Sequence, residues 1–333
     1  MDIPNLDIKK ILVDKALFIV LILIVGLLIV IEPKFFSLIV FRDILMQSST
    51  RVIIALGCMF ILIVAGADLS GGRVVGLAAV VVGSLAQSDT FYNKFFPNLP
   101  QLPLIIPVLI ALAVGLLFGL INGLVVAKLD VPPFIATLGV ALAVYGINCL
   151  YFNLPPNNSQ PLGGFTEQFS ALGGGSTLKI PNIMLIAGFC LILVYIFQKK
   201  TCLGKELFAV GGNSEASRVS GINVDKILIL AYSLAGVFYA LGGVLEASRT
   251  GSATSTYGAG YEMDAIASCV VGGCSLSGGV GSVPGLLVGV LIFNVISYGL
   301  TFIGISPYWQ NVFKGIIIVG AVAIDVRKYK NSK

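Results

Sequence analysis

The chain has no histidine, a single tryptophan and few charges, with Asp, Glu, Lys and Arg making up 11% of its 333 residues. Without histidine, imidazole-based metal clusters and Ser-His-Asp or Cys-His nucleophilic catalysis are excluded. A soluble domain carries about 25% charged residues, so charge this sparse does not solvate a globule of this length. The phosphate-binding pattern G-x-x-x-x-G-K-[ST] is missing too. Gly204-Lys205 is followed by Glu206, so the chain has no nucleotide-binding loop of its own. No pair of carboxylates stands at an obvious catalytic spacing, and Lys and Arg are not gathered into a patch of the nucleic-acid kind. Cysteines 58, 149, 190, 202, 269 and 274 form no C-x-x-C pair. All but Cys202 fall in or beside apolar stretches, where cysteine acts as a small hydrophobe.

What is present is apolar, at 57% hydrophobic residues. This predicts an all-α polytopic membrane protein forming one transmembrane domain over 1–333. A helical span needs about 20 apolar residues. Ten stretches qualify or nearly so: 15–31, 50–66, 73–88, 103–127, 133–152, 181–197, 227–247, 262–275, 283–302 and 308–325. The eighth is short and polar at its start, and a re-entrant reading of it lowers the count. The run 16–31 ends in Glu32-Pro33 with no A-x-A site, so it reads as a retained first span rather than a signal peptide.

Charge placement orients the chain. With both termini in the cytosol, only Lys34, Arg42, Arg51, Lys94, Lys179 and Arg249 fall outside, and Lys314 falls within the last span. The remaining Lys and Arg are then inside, as the positive-inside rule requires. The outer stretch 153–179, rich in Pro, Gly and Ser, is expected to be a flexible loop or a contact for an outside partner. It contains the glycosylation tripeptide Asn157-Asn158-Ser159. Internal repetition is left open. The heptad GADLSGG (66–72) resembles GCSLSGG (273–279) and GLLFG (115–119) resembles GLLVG (285–289), but the two offsets disagree.

One polar segment, 198–226, interrupts the apolar pattern. Inside it a short helix is predicted, with Asn213 or Ser214 as N-cap, Glu215 in the first turn, Arg218 in the last and Gly221 as the C-terminal stop. Ala216, Val219 and Ile222 would share its apolar face. Such a helix between two spans suits docking on a cytosolic partner; a solvated connecting loop is the plainer alternative.

Polar residues at membrane depth are costly and mark pathways or packing contacts. Those picked out here are Asp68, Ser70, Asn122, Asn148, Glu246, Asp264 and Asn294, with Lys314 and Arg249 as conceivable partners of the two carboxylates Asp264 and Glu246. The Gly-rich stretches 66–76 and 272–285 read either as broken helices lining a cavity or as close packing.

In order along the chain, GADLSGGRVVGLAAVV (66–81), FAVGGNSEASRVSGINV (208–224), MDAIASCVVGGCSLSGGVGSVPG (263–285) and SPYWQNVFKGIIIVGAVAID (306–325) resemble permease subunits of bacterial ABC sugar importers. The likeness covers nearly the whole chain. Within that family YGINCLYF (145–152) and RTGSATSTYGAGYEMDAIASCVVGG (249–273) are similar to the galactose/methyl-galactoside branch. The resemblance implies a homodimer in the bacterial inner membrane that binds no cofactor itself. ATP and Mg would be held by a cytosolic ATPase with two fused nucleotide-binding domains, which docks on 198–226, and a periplasmic sugar-binding protein would dock outside. Ser217 stands where a second Ala is usual in the coupling motif of ABC importers. The competing class is a secondary transporter driven by an ion gradient, with Asp264 or Glu246 as the ion site.

Overall fold

The computed structural model describes residues 16–306, 308–316, 319 and 320. Helices dominate it: α1 (Ala16–Ile31), α2 (Leu38–Ile63), α3 (Gly71–Leu85), α4 (Ile105–Lys128), α5 (Pro133–Phe152), α6 (Glu167–Gly174), α7 (Asn182–Lys200), α8 (Cys202–Gly212), α9 (Ser214–Val219), α10 (Val224–Thr250), α11 (Tyr261–Val271) and α12 (Val283–Phe302). Residues 308–316 are helical as well. Among the described residues six helices are long and apolar enough to cross a membrane, namely α2, α4, α5, α7, α10 and α12. Residues 18–31 of α1 and all of α3 are apolar but shorter. The ten expected spans are therefore not all visible as full-length helices. Helix α11 has 11 residues, a rise of about 16 Å, roughly half a bilayer core. The stretch 308–325 runs partly outside the described residues.

Two helices form the centre. In α2 78% of the most apolar stretch is buried and in α10 67%, against 28% in α5 and α7, which form an outer ring with lipid-facing sides. Helix α2 begins at Leu38, twelve residues before the predicted span. The apolar pattern fails over 42–50 because Arg42, Asp43, Gln47 and three hydroxyl residues interrupt it. The helix continues because those groups find partners. Ser37 caps it by accepting from Val40 N, Ser49 and Thr50 bond back to Leu45 O and Gln47 O, and Tyr298 OH donates to Asp43. Arg42, expected between two spans, is thus a helical residue, and Arg51, expected at the start of a span, lies about four turns along the same helix.

The glycines let backbones touch. A Cβ on Gly115 would sit 2.2 Å from Gly236 O, and one on Gly119 would sit 2.4 Å from Tyr232 O. Helices α4 and α10 therefore meet backbone to backbone, and any side chain would drive them apart. Between α2 and α3 the chain is broken. Gly66 lies against the Tyr232 hydroxyl and Gly71 against the Tyr239 ring. The segment thus climbs along α10 by seven residues, about 10 Å, before α3 starts, well inside the bundle. The similar heptad 273–279 returns to the same place, where Gly279 N donates to Ile63 O at 2.8 Å. Each heptad is closed by the same turn, Ser70 N to Asp68 Oδ1 at 2.7 Å and Ser277 N to Ser275 Oγ at 3.1 Å.

The stretch 153–179 is ordered rather than open. Leu162 pairs with Ala253 in an isolated bridge, Thr166 caps α6, and Phe169 is fully buried. A short hairpin of β1 (Ser176–Thr177) and β2 (Ile180–Pro181) follows. Asn157 is 2% exposed and donates to Phe152 O, so its amide is not presented for glycosylation.

Candidate functional site

A polar cavity of about 380 Å³ opens between α2, α11, α12 and the helical stretch 308–316, lined among others by Gln47, Arg51, Tyr261, Asp264, Asn294 and Lys314. Each wall residue is placed by helical spacing. Gln47 and Arg51 are four apart on α2, and Tyr261 and Asp264 are three apart at the start of α11, so each pair shares a face. Asp264 Oδ2 accepts from Lys314 Nζ at 3.0 Å and from Arg51 Nη1 at 3.4 Å. The Arg51 guanidinium lies 3.5 Å from the Tyr261 ring centre, close enough for cation–π attraction. Tyr261 OH donates in turn to Glu246 Oε1 at 3.2 Å, and Glu246 takes a forked pair from Arg249 at 2.9 and 3.3 Å. The two suspected carboxylates are therefore joined in one chain of charges.

Asn294 extends the polar wall. Its amide donates to Ser48 Oγ at 2.7 Å and Ile44 O at 3.0 Å, fastening α12 to α2. Tyr298, Phe293 and Phe302 add ring faces to the lining. The volume suits a molecule of monosaccharide size. Hydroxyls and amides along the wall, from Gln47, Asn294, Ser297, Thr301 and Gln310, offer hydrogen bonds to a polar ligand, and the carboxylate of Asp264 is shared by two cations.

Asp68, Ser70 and Asn122 form a second cluster where the chain is broken before α3. All three are buried. Asp68 Oδ1 accepts from Ser70 Oγ at 2.6 Å, and Asn122 Nδ2 donates to Ser70 Oγ at 2.8 Å. Leu69 N donates to Thr137 Oγ1, and Asn122 Oδ1 has no protein partner. Asn148 stands apart, donating to Ser255 O at 3.2 Å, with its own Oδ1 unpartnered. The structure therefore divides these polar residues into a group at the 380 Å³ cavity and the ion pairs joined to it (Glu246, Asp264, Asn294), a cluster at the break before α3 (Asp68, Ser70, Asn122) and Asn148. Sequence reasoning missed Arg51 and Gln47 as cavity residues, although their i,i+4 spacing against Ile54 was readable as a mixed polar face; Tyr261 and Tyr298 read from the sequence as interface aromatics, of a kind that can also stack on sugars.

The polar segment folds as α7's end, α8 and α9. Asn213 Oδ1 accepts from Ala216 N at 2.9 Å, so Asn213, not Ser214, caps α9. At the other end Gly221 has φ +86. Its N–H bonds Arg218 O and that of Ile222 bonds Ser217 O, the paired closure of a Schellman motif. Ser217 is buried and anchors the helix, whereas Val219 is 90% exposed and Ala216 and Glu215 are also outward. A cavity of about 440 Å³ lies between this helix and the bundle, lined by Gly66, Val126, Pro133, Asn213, Arg218 and Tyr232.

The chain is similar over 96% of its length to galactose/methyl galactoside import permeases, at 48% identity to those of Haemophilus influenzae and Escherichia coli, and 96% of each relative is covered. It is 36% identical, over the same share of both chains, to the ribose import permease of Escherichia coli. No solved structure matches. Residues 40–322 match the family described as branched-chain amino acid transport system / permease component, and the chain belongs to that family as a multi-pass inner-membrane transport subunit.

Proposed function

We propose that the chain is the membrane-spanning permease of an ATP-driven importer that brings galactose or a methyl galactoside into the cytoplasm. The observation that carries this reading is the end-to-end match to sugar permeases at 48% identity. The cavity supports it, because the hydroxyl and amide side chains along its wall and its volume suit the hydroxyl groups of a monosaccharide. Glu246, Asp264 and Asn294 act as the outer part of the pathway, with Asp68, Ser70, Asn122 and Asn148 deeper along it.

ATP and Mg are bound by a partner ATPase with two fused nucleotide-binding domains. Helix α9 docks on it through Ala216 and Val219, with Glu215 and Arg218 at its ends and Asn213, Ser214 and Gly221 setting its shape. The exposure of Val219 supports that role, since a large apolar side chain left in water suits a contact surface. Two copies of the chain form the pathway, and a periplasmic sugar-binding protein delivers the ligand. Ten crossings with both termini inside fit the charge distribution. The long-short-long order of α2–α4 and α10–α12 supports an inverted repeat, whereas the GADLSGG and GCSLSGG turns fall at non-equivalent places in the two halves.

The test is uptake of labelled galactose into proteoliposomes holding the chain, its ATPase and the binding protein. Accumulation that requires ATP is expected. Uptake that persists without ATP and collapses with an uncoupler would overturn this reading in favour of a gradient-driven carrier.

A further inference from the structure

Three helices begin or end around one carboxylate at the cytosolic end of α10. Lys128, in the last turn of α4, places its Nζ 2.8 Å from Asp225 Oδ2. Arg218, in the last turn of α9, brings Nη2 to 3.8 Å from Asp225 Oδ1. Each charge also suits the dipole of its own helix end, which alone would account for the residue types but not for their meeting. Helices α4 and α10 are locked together along their length by the Gly115–Gly236 and Gly119–Tyr232 contacts. A third glycine, Gly123, lies so near Ile229 that a Cβ there would come within 2.8 Å of its Cα. A displacement of one helix therefore carries the other, and with them Asn122 and its bond to Ser70. Helix α9, by contrast, is a short separate helix with the 440 Å³ cavity on the side of Ser214 and Arg218.

We propose that Asp225 is a positioning residue that fastens α9 to the α4–α10 pair, so that motion imposed on α9 is delivered to that pair as one unit. This rests on the ATP-driven import reading. Asp225 touches no sugar or nucleotide and works through Arg218 and Lys128. Two part-exposed ion pairs bias two alternative arrangements by about fivefold.

The experiment measures sugar imported per ATP hydrolysed by the complete importer in proteoliposomes. Asp225→Asn is expected to lower this ratio about fivefold while ATP hydrolysis continues, and Asp225→Glu is expected to restore most of it. Raising the salt concentration should lower the wild-type ratio toward that of Asp225→Asn and leave the variant unmoved, because exposed pairs are screened. Lys128→Met, which leaves the start of α10 intact, should also lower the ratio, and it serves as the test if Asp225→Asn does not assemble. A wild-type ratio in Asp225→Asn or in Lys128→Met overturns the proposal. So does a wild-type ratio that salt does not change, which would leave Asp225 as a helix-start residue only. ATP-independent uptake by the wild type, read in the same vesicles, would instead overturn the import reading itself.

Discussion

Asp264 is shared by two cations, Lys314 at 3.0 Å and Arg51 at 3.4 Å, and each of the three side chains is less than a third exposed. Its replacement by Asn leaves two positive charges facing one cavity with no anion between them. The cost lies between that of an exposed and a buried pair, about 2 kcal/mol. Asp264→Asn should still insert but show a lower unfolding temperature and reduced galactose uptake. Normal uptake at a lowered unfolding temperature would assign Asp264 to structure alone. Asp264 was visible in the sequence because a carboxylate in an apolar stretch demands an explanation. Arg51 was not, since it stood at the edge of a predicted span and passed for an interfacial charge. Its meaning depends on a partner 213 positions away, which no local pattern encodes.

Helix α9 was legible down to its caps, because capping is local chemistry written within a few residues. Gly221 at φ +86 cannot become a β-branched residue without a cost of about 1–2 kcal/mol. Gly221→Val should therefore distort the Schellman closure, and Glu215→Lys should place a cation at the positive end of the helix. Both variants are expected to hydrolyse ATP in the assembled importer while importing less sugar per turnover, and unchanged transport in both would remove α9 from the coupling path. Helix α2 was read less well. Its stretch 42–50 looked too polar for a span, and only the contacts to Asn294 and Tyr298 show why a helix survives there. The stretch 153–179 misled in the same way, since Pro, Gly and Ser predict a loop whereas Phe169 and Leu162 bury themselves to build a cap.

Across the whole molecule, the sequence supported a polytopic helical protein but not the depth at which each helix starts. Hydropathy counts apolar residues; it does not see that α3 begins and α11 ends inside the bundle, because their glycines matter through contacts made elsewhere. The α4–α10 seam tests this view. A methyl on Gly119 would meet Tyr232 O at 2.4 Å, and overpacking of this kind costs about 1–3 kcal/mol. Gly119→Ala should lower the unfolding temperature in detergent, whereas the same change at Gly188, where a Cβ meets nothing within 4 Å, should not. Equal stability of the two variants would show that the seam is looser than described. The chain's lone tryptophan, Trp309, packs on Phe313 at a ring separation of 6.2 Å, and its neighbours Gln310 and Lys314 line the 380 Å³ cavity. Indole emission from the purified subunit therefore comes from a single source beside the ligand's expected seat. A change in its colour or intensity on adding galactose would report occupancy optically, with no label and no partner present.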